Sequence, residues 1–268
     1  MKDGTGRRAL VTGASSGIGL AFAHVLGEHG YELVLTARRA DRLDALARQL
    51  AERYGVASHV FSTDLAQADA VEGLISWLDR QSLAIDFLVN NAGYGVPGSY
   101  VGTTWQQQRE FLQVLVVASS ELAHRLVGGM IERRWGRIIN VASLAGLLPG
   151  VAGHTLYAAS KAFAIAFSES LALETAKHGV HVTASCPGFT LTEFHDVIGT
   201  REQVNRMPRF MWLNARHVAE SSYDAVMRGA VVYVPGRVNR TMATLSRLLP
   251  RSVVLAAMKR SAGTFRKA

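Results

Sequence analysis

The chain has 268 residues, 49% of them hydrophobic and 19% charged, which is ample for one large core and excludes a disordered chain. Its one cysteine, Cys186, excludes an internal disulfide framework, and no Cys/His cluster has zinc spacing, so no metal is expected. The net charge of +8 belongs to the end of the chain: residues 225–268 hold nine Lys and Arg and no acid, whereas residues 1–224 hold 20 basic and 21 acidic side chains, so a nucleic-acid surface spread over the protein is not implied.

Residues 1–6 are polar and no apolar run of signal length follows them, so the expectation is a soluble protein in a reducing, cytoplasmic compartment. The longest uncharged stretch, 138–160, has the length of a membrane span. Asn140, Ser143, Pro149 and His154 interrupt it, which argues against one.

Short apolar, β-branched runs at 9–12, 32–37, 58–62, 87–90, 137–141, 181–185 and 231–234 read as strands. Between them lie segments with apolar residues three and four apart, such as Leu43, Leu46, Ala47 and Leu50. Connections of that length are crossovers, so the fold class is α/β: a doubly wound sheet of about seven parallel strands with helices on both faces. Unalternated runs such as Phe87-Leu88-Val89 suit strands buried on both faces. No linker or repeat divides the body, which gives one domain over 1–238 followed by a basic helical extension over 239–268.

Ligands of such sheets bind beyond the carboxyl ends of the strands. After the first strand comes Gly13-Ala14-Ser15-Ser16-Gly17-Ile18-Gly19, then a helical pattern. Glycines there allow a tight turn and close approach of backbone N–H groups to a phosphate at a helix start. The second strand ends Ala37-Arg38-Arg39, where an NAD reader usually has a carboxylate about 20 residues beyond the glycines. A guanidinium pairs with a 2′-phosphate that a carboxylate would repel, so the cofactor reads as NADP(H), with Arg38 leading and Arg39 and Ser15 helping. Asp64, before Leu65, is placed to accept from adenine or to cap a helix. Asn90, Asn91, Ala92 and Gly93 follow the fourth strand, where the amides can tie strand ends together and the small residues leave room for a cofactor.

Ser143 follows the fifth strand, and Tyr157 and Lys161 share one face of the next helix. A phenol titrates near 10 and catalyses poorly near neutrality. A neighbouring ammonium and the positive ring of an oxidised nicotinamide would stabilise its phenolate.

With these residues in this order, the chain resembles the short-chain dehydrogenase/reductase superfamily over roughly residues 7–236. The motifs are TGASSGIG (Thr12–Gly19), NNAG (Asn90–Gly93), Ser143, YAASK (Tyr157–Lys161) and PGFTLT (Pro187–Thr192). The resemblance implies a Rossmann-type fold and NADP(H)-dependent interconversion of a carbonyl and an alcohol. It casts Tyr157 as general acid/base, Lys161 as ribose ligand and pKa modifier, and Ser143 as carbonyl anchor. Pro187, Gly188, Thr190 and Thr192 would meet the nicotinamide, and the protein would be a dimer or tetramer. One position departs from the pattern. The family's asparagine, 28 residues before the serine, is Leu115, so the usual water-linked proton relay lacks a member. A non-catalytic NADP-binding sensor or scaffold is therefore the open alternative.

The resemblance makes residues 189–215 the substrate cover. Phe194, Val197, Ile198, Met207, Phe210, Met211, Trp212 and Leu213 make it apolar, and so imply a small apolar carbonyl or alcohol substrate. Arg206 and Arg209 read as solvated. The extension beyond 239 is a basic amphipathic pair of helices. Docking of its apolar face on protein, either the body or a second subunit, is the expectation, and an anionic membrane surface is the alternative.

Overall fold

The computed structural model describes residues 3–96, 99–150, 155–193 and 208–265, the side chains of 257 and 260–265 excepted. Seven strands pair in parallel: β1 (Arg8–Thr12), β2 (Glu32–Ala37), β3 (Ser58–Ser62), β4 (Phe87–Asn90), β5 (Gly136–Val141), β6 (Val180–Ser185) and β9 (Val232–Tyr233). Their order across the sheet is β3-β2-β1-β4-β5-β6-β9, so the winding reverses between β1 and β4. Every strand lies within one residue of its sequence expectation at each end. Two further short strands, β7 (Thr190–Leu191) and β8 (Leu213–Asn214), pair with each other outside the main sheet.

The strands bury both faces, and alternation sorts their side chains between two layers. Leu10, Val34, Leu88, Ile138 and Val182 face α3 (Ala70–Arg80), α4 (Trp105–Leu112), α5 (Ser119–Glu132) and α6 (Thr155–Thr175). Ala9, Val11, Leu33, Leu35, Val89 and Ile139 face α1 (Gly17–Glu28), α2 (Ala40–Tyr54) and α7 (Ala215–Met227). A π-helical turn, Gln113–Ala118, joins α4 to α5. The combined run Trp105–Glu132 is long and apolar enough to cross a membrane, but Phe111, Val114, Leu115, Ala118 and Leu122 commit it to the core. The uncharged stretch from 138 is no single helix, because β5 gives way to a 3-10 turn, Leu144–Leu147, before α6.

The basic end forms α8 (Arg237–Leu248) and α9 (Arg251–Phe265). Asn239 and Ala243 of α8 and Val254 of α9 are buried against the body. Met242 and Met258 on the same side reach the cavity beyond the sheet.

Candidate active site

A cavity of about 700 Å³ opens where the winding reverses, along the carboxyl ends of the strands. At its cofactor end, Gly13 and Gly17 take φ of +67° and +58°, a region L side chains avoid. A Cβ on Gly13 would also lie 2.9 Å from Asn91 Nδ2 and 3.0 Å from Ala92 Cα. Ser15, Ser16, Gly17 and Ile18 line the cavity. Ser16 heads α1 without capping it through its side chain, so the first-turn N–H groups are available to an anion. Gly19 is placed differently: it is buried away from the wall, where a Cβ would overlap the Gly13 carbonyl and the Asn91 amide. Its service is to seat α1 on the sheet.

Arg38 and Arg39 both line the cavity. The structure sets Arg39, rather than Arg38, against the glycine turn. Its Nε and Nη2 donate to Ser15 Oγ at 3.2 and 3.0 Å, and Nη2 donates to Ser16 Oγ at 2.9 Å. Its Nη1 donates to Glu193 Oε2 at 3.2 Å, and Arg42 Nη1 donates to Glu193 Oε1 at 2.9 Å. Those two guanidiniums hold the Glu193 carboxyl below its ordinary range. Arg38 is exposed on the same wall.

Asp64 lines the cavity beside buried Leu65. Its Oδ1 accepts from the Ala66 N–H at 3.1 Å, which closes a turn, because α3 begins only at Ala70. Asn91, Ala92 and Gly93 complete this stretch of wall. They are fixed by Thr12, whose Oγ1 accepts from the Asn91 and Ala92 N–H groups at 2.9 Å each. Asn90 ties β4 to its neighbours, donating to Asn140 Oδ1 at 2.9 Å and to the Ser119 carbonyl at 2.8 Å.

At the other end, Ser143 stands two residues beyond β5, at the head of the 3-10 turn, and its hydroxyl is hydrogen-bonded to Tyr157. Ser143 Oγ also accepts from the Ala145 N–H at 3.1 Å. Lys161 Nζ, one helical turn after Tyr157, lies 5.7 Å from the phenol ring centroid and donates to the Val141 carbonyl at 2.7 Å. Burial pushes the Tyr157 phenol above its ordinary range, with the Ser143 bond opposing. Burial lowers the Lys161 amine to about 8, with Cys186 opposing. The expected lowering of the phenol by Lys161 is therefore not what sets its titration in this structure. One desolvated corner disfavours the charged forms of both groups.

Pro187, Gly188, Thr190 and Thr192 line the cavity between its two ends. Thr192 Cγ2 would be 3.1 Å from a Cβ on Gly17, so this segment crosses the glycine turn. Leu115 lines the wall, buried, in the π-helical turn, with its side chain against Gly93. The expected substrate side is apolar: Leu148, Phe189, Met211, Met242 and Met258 line it. Trp212 packs on Phe189, and Phe210 is exposed. Phe194, Val197, Ile198, Arg206 and Met207 lie outside the described residues.

Three contributors escaped the sequence reading. Glu193 clasps the arginines. Asn239, buried, donates to the Pro235 carbonyl at 3.0 Å and packs on Gly188. Gly146 lets the turn after Ser143 press on α6, since a Cβ there would lie 2.6 Å from the Lys161 carbonyl carbon.

A doubly wound parallel sheet with a glycine turn at the head of its first helix, opening on a serine–tyrosine–lysine cluster, is a Rossmann-type oxidoreductase architecture. The chain belongs to the short chain dehydrogenase family, whose model matches residues 7–203. An uncharacterised oxidoreductase of Myxococcus xanthus (strain DK1622) is 32% identical over 95% of this chain and 97% of that protein. Among solved structures, a short-chain dehydrogenase from Sphingobium yanoikuyae in complex with NADPH is 29% identical, with a TM-score of 0.81 over 93% of this chain and 95% of that one. The bulky-bulky ketone specific alcohol dehydrogenase from Comamonas testosteroni is 28% identical, with a TM-score of 0.77 over 93% and 94%.

Proposed function

We propose that the protein is an NADP(H)-dependent oxidoreductase that interconverts a carbonyl and an alcohol on an apolar substrate. The observation that carries this is one continuous cavity. It joins the Arg39–Ser15 end, shaped for a phosphate-bearing dinucleotide, to the Ser143–Tyr157 pair. The residues fit the cofactor because the close approach of Gly13 to Asn91 and Ala92 leaves the turn's backbone bare toward the cavity. The NADPH bound to the Sphingobium relative supports the choice of nicotinamide cofactor.

When bound, the reduced nicotinamide supplies the hydride that the carbonyl carbon takes up. Ser143 Oγ holds the carbonyl oxygen, and Tyr157 donates its proton to that oxygen. A phenol held above its ordinary range is protonated at neutral pH, the state a general acid needs, which suits reduction. The Lys161 ammonium then stabilises the phenolate left behind. An amine near 8 passes a proton on readily around neutrality, although Leu115 contributes no polar side chain to the route outward. Leu148, Phe189 and Met211 favour an apolar substrate body. The same reading includes a homo-oligomer, for which exposed Trp105, Val117, Phe163 and Leu173 supply apolar contact surface.

The test is purified protein with NADPH and a panel of apolar ketones, comparing wild type with Tyr157→Phe. Turnover should vanish in the variant while fluorescence-detected NADPH binding persists, and retained turnover would remove the assignment. Leu115 favours a second reading, a non-catalytic NADP-binding sensor or scaffold. It predicts wild-type binding with no NADPH consumption.

A further inference from the structure

The helices α8 and α9 have two unlike faces. The inner one closes the apolar end of the cavity through Met242 and Met258. On the outer one, Leu245, Leu248 and Leu249 stand exposed, Leu248 to 75% of its surface, and half-exposed Val253 and Leu255 flank buried Val254 at the edges of α9. Between them rise Arg240, Arg247, Arg251 and Lys259, all exposed, in a segment that has no acid from residue 225 to its end. Large apolar side chains are not left in water in such a cluster without a partner.

We propose that this outer face docks on an anionic lipid membrane, with the apolar side chains in the headgroup–acyl boundary and the arginines among lipid phosphates. Charge selects the occupant. Two copies meeting through this face would set arginine against arginine, whereas an anionic surface attracts each of the four cations. Helices with leucines flanked by basic residues lie in the plane of such an interface. The position of the face gives the attachment a use that rests on the proposed apolar substrate. The residues that enter the lipid boundary are backed by the two methionines at the cavity's apolar end, so a lipid-partitioned substrate would have a short path in.

The experiment is sedimentation of the full chain with vesicles of phosphatidylcholine alone and with about one-third phosphatidylglycerol, at low and high salt. Anionic vesicles should bind at least about ten-fold more tightly, and 0.5 M salt should remove most of that gain. The double variant Leu245→Gln/Leu248→Gln should lose binding, and so should Arg247→Gln/Arg251→Gln, with thermal melting and NADPH binding unchanged. No binding, equal binding to both vesicles, or variants that bind like wild type would overturn the proposal. So would a fall in oligomer mass in the leucine variant, which would make the face a contact between copies, or tight salt-sensitive capture of an acidic protein with no vesicle binding. Turnover of a water-soluble ketone, measured in parallel, reports on the catalytic reading separately, since vesicle binding does not depend on it.

Discussion

The Glu193 carboxylate lies 3.2 Å from Arg39 Nη1, although 154 residues separate the two in the chain. Arg42 Nη1 holds the same carboxylate through both oxygens, at 2.9 and 3.1 Å. Glu193 thus offers Arg39 the kind of anion that a 2′-phosphate would offer, and the two compete for one guanidinium. Glu193→Gln should tighten NADPH up to about five-fold, matching the roughly 1 kcal/mol that exposed ion pairs reach. NADH, which lacks the phosphate, should be unaffected. Arg39→Ala should weaken NADPH far more than NADH. Fluorescence titration of both cofactors checks the pair of results, and equal changes for both cofactors would refute the phosphate role.

That clasp marks the boundary of what the sequence makes legible. The strands were readable because each is short, apolar and buried on both faces, and the candidate site residues because they follow strand ends. Gly19 was readable as part of the turn, but its role in the first turn of α1 depends on the close approach of the Gly13 carbonyl and the Asn91 amide. Which of Arg38 and Arg39, both on the cavity wall, bonds to the glycine turn was beyond the sequence, since adjacent residues leaving a strand point in different directions. Glu193 and Asn239 act through partners far along the chain, on Arg39 and Gly188, and no local pattern announces such a contact. The two faces of α8 and α9 were visible as amphipathicity, but which face would be covered depended on the fold.

Gly146 sits where the turn after Ser143 meets the backbone of Lys161 and Ala162. Gly146→Ala should force the turn off α6 and separate Ser143 from Tyr157. The expected cost is about 1–3 kcal/mol of stability in urea unfolding. The loss in kcat should be larger, because a displacement near 1 Å at reacting groups can cost roughly 100-fold. A variant as active and as stable as wild type would disprove this role.

Lys161 gives a signed pH dependence. Its amine titrates at about 8 in the folded protein and near 10.5 when unfolded. Below pH 8 both states are protonated, and the folded state carries a charge that burial disfavours. Between 8 and 10.5 the unfolded chain binds the extra proton, so stability rises with pH through this window. Lys161→Met should therefore be more stable than wild type at pH 7, by roughly 2 kcal/mol after allowing for the lost bond to the Val141 carbonyl. The gap should close toward pH 10. Melting of both proteins from pH 7 to 10 checks it. The variant should also lose turnover.

The only thiol in the chain is walled in beside Lys161, and burial pushes it up to about 12. Such a sulfur presents almost no thiolate to an attacking reagent. Iodoacetamide or mild peroxide should leave cofactor affinity and turnover intact, and non-reducing gels should show no covalent dimer. The protein should therefore keep working through oxidative episodes that silence enzymes with accessible cysteines.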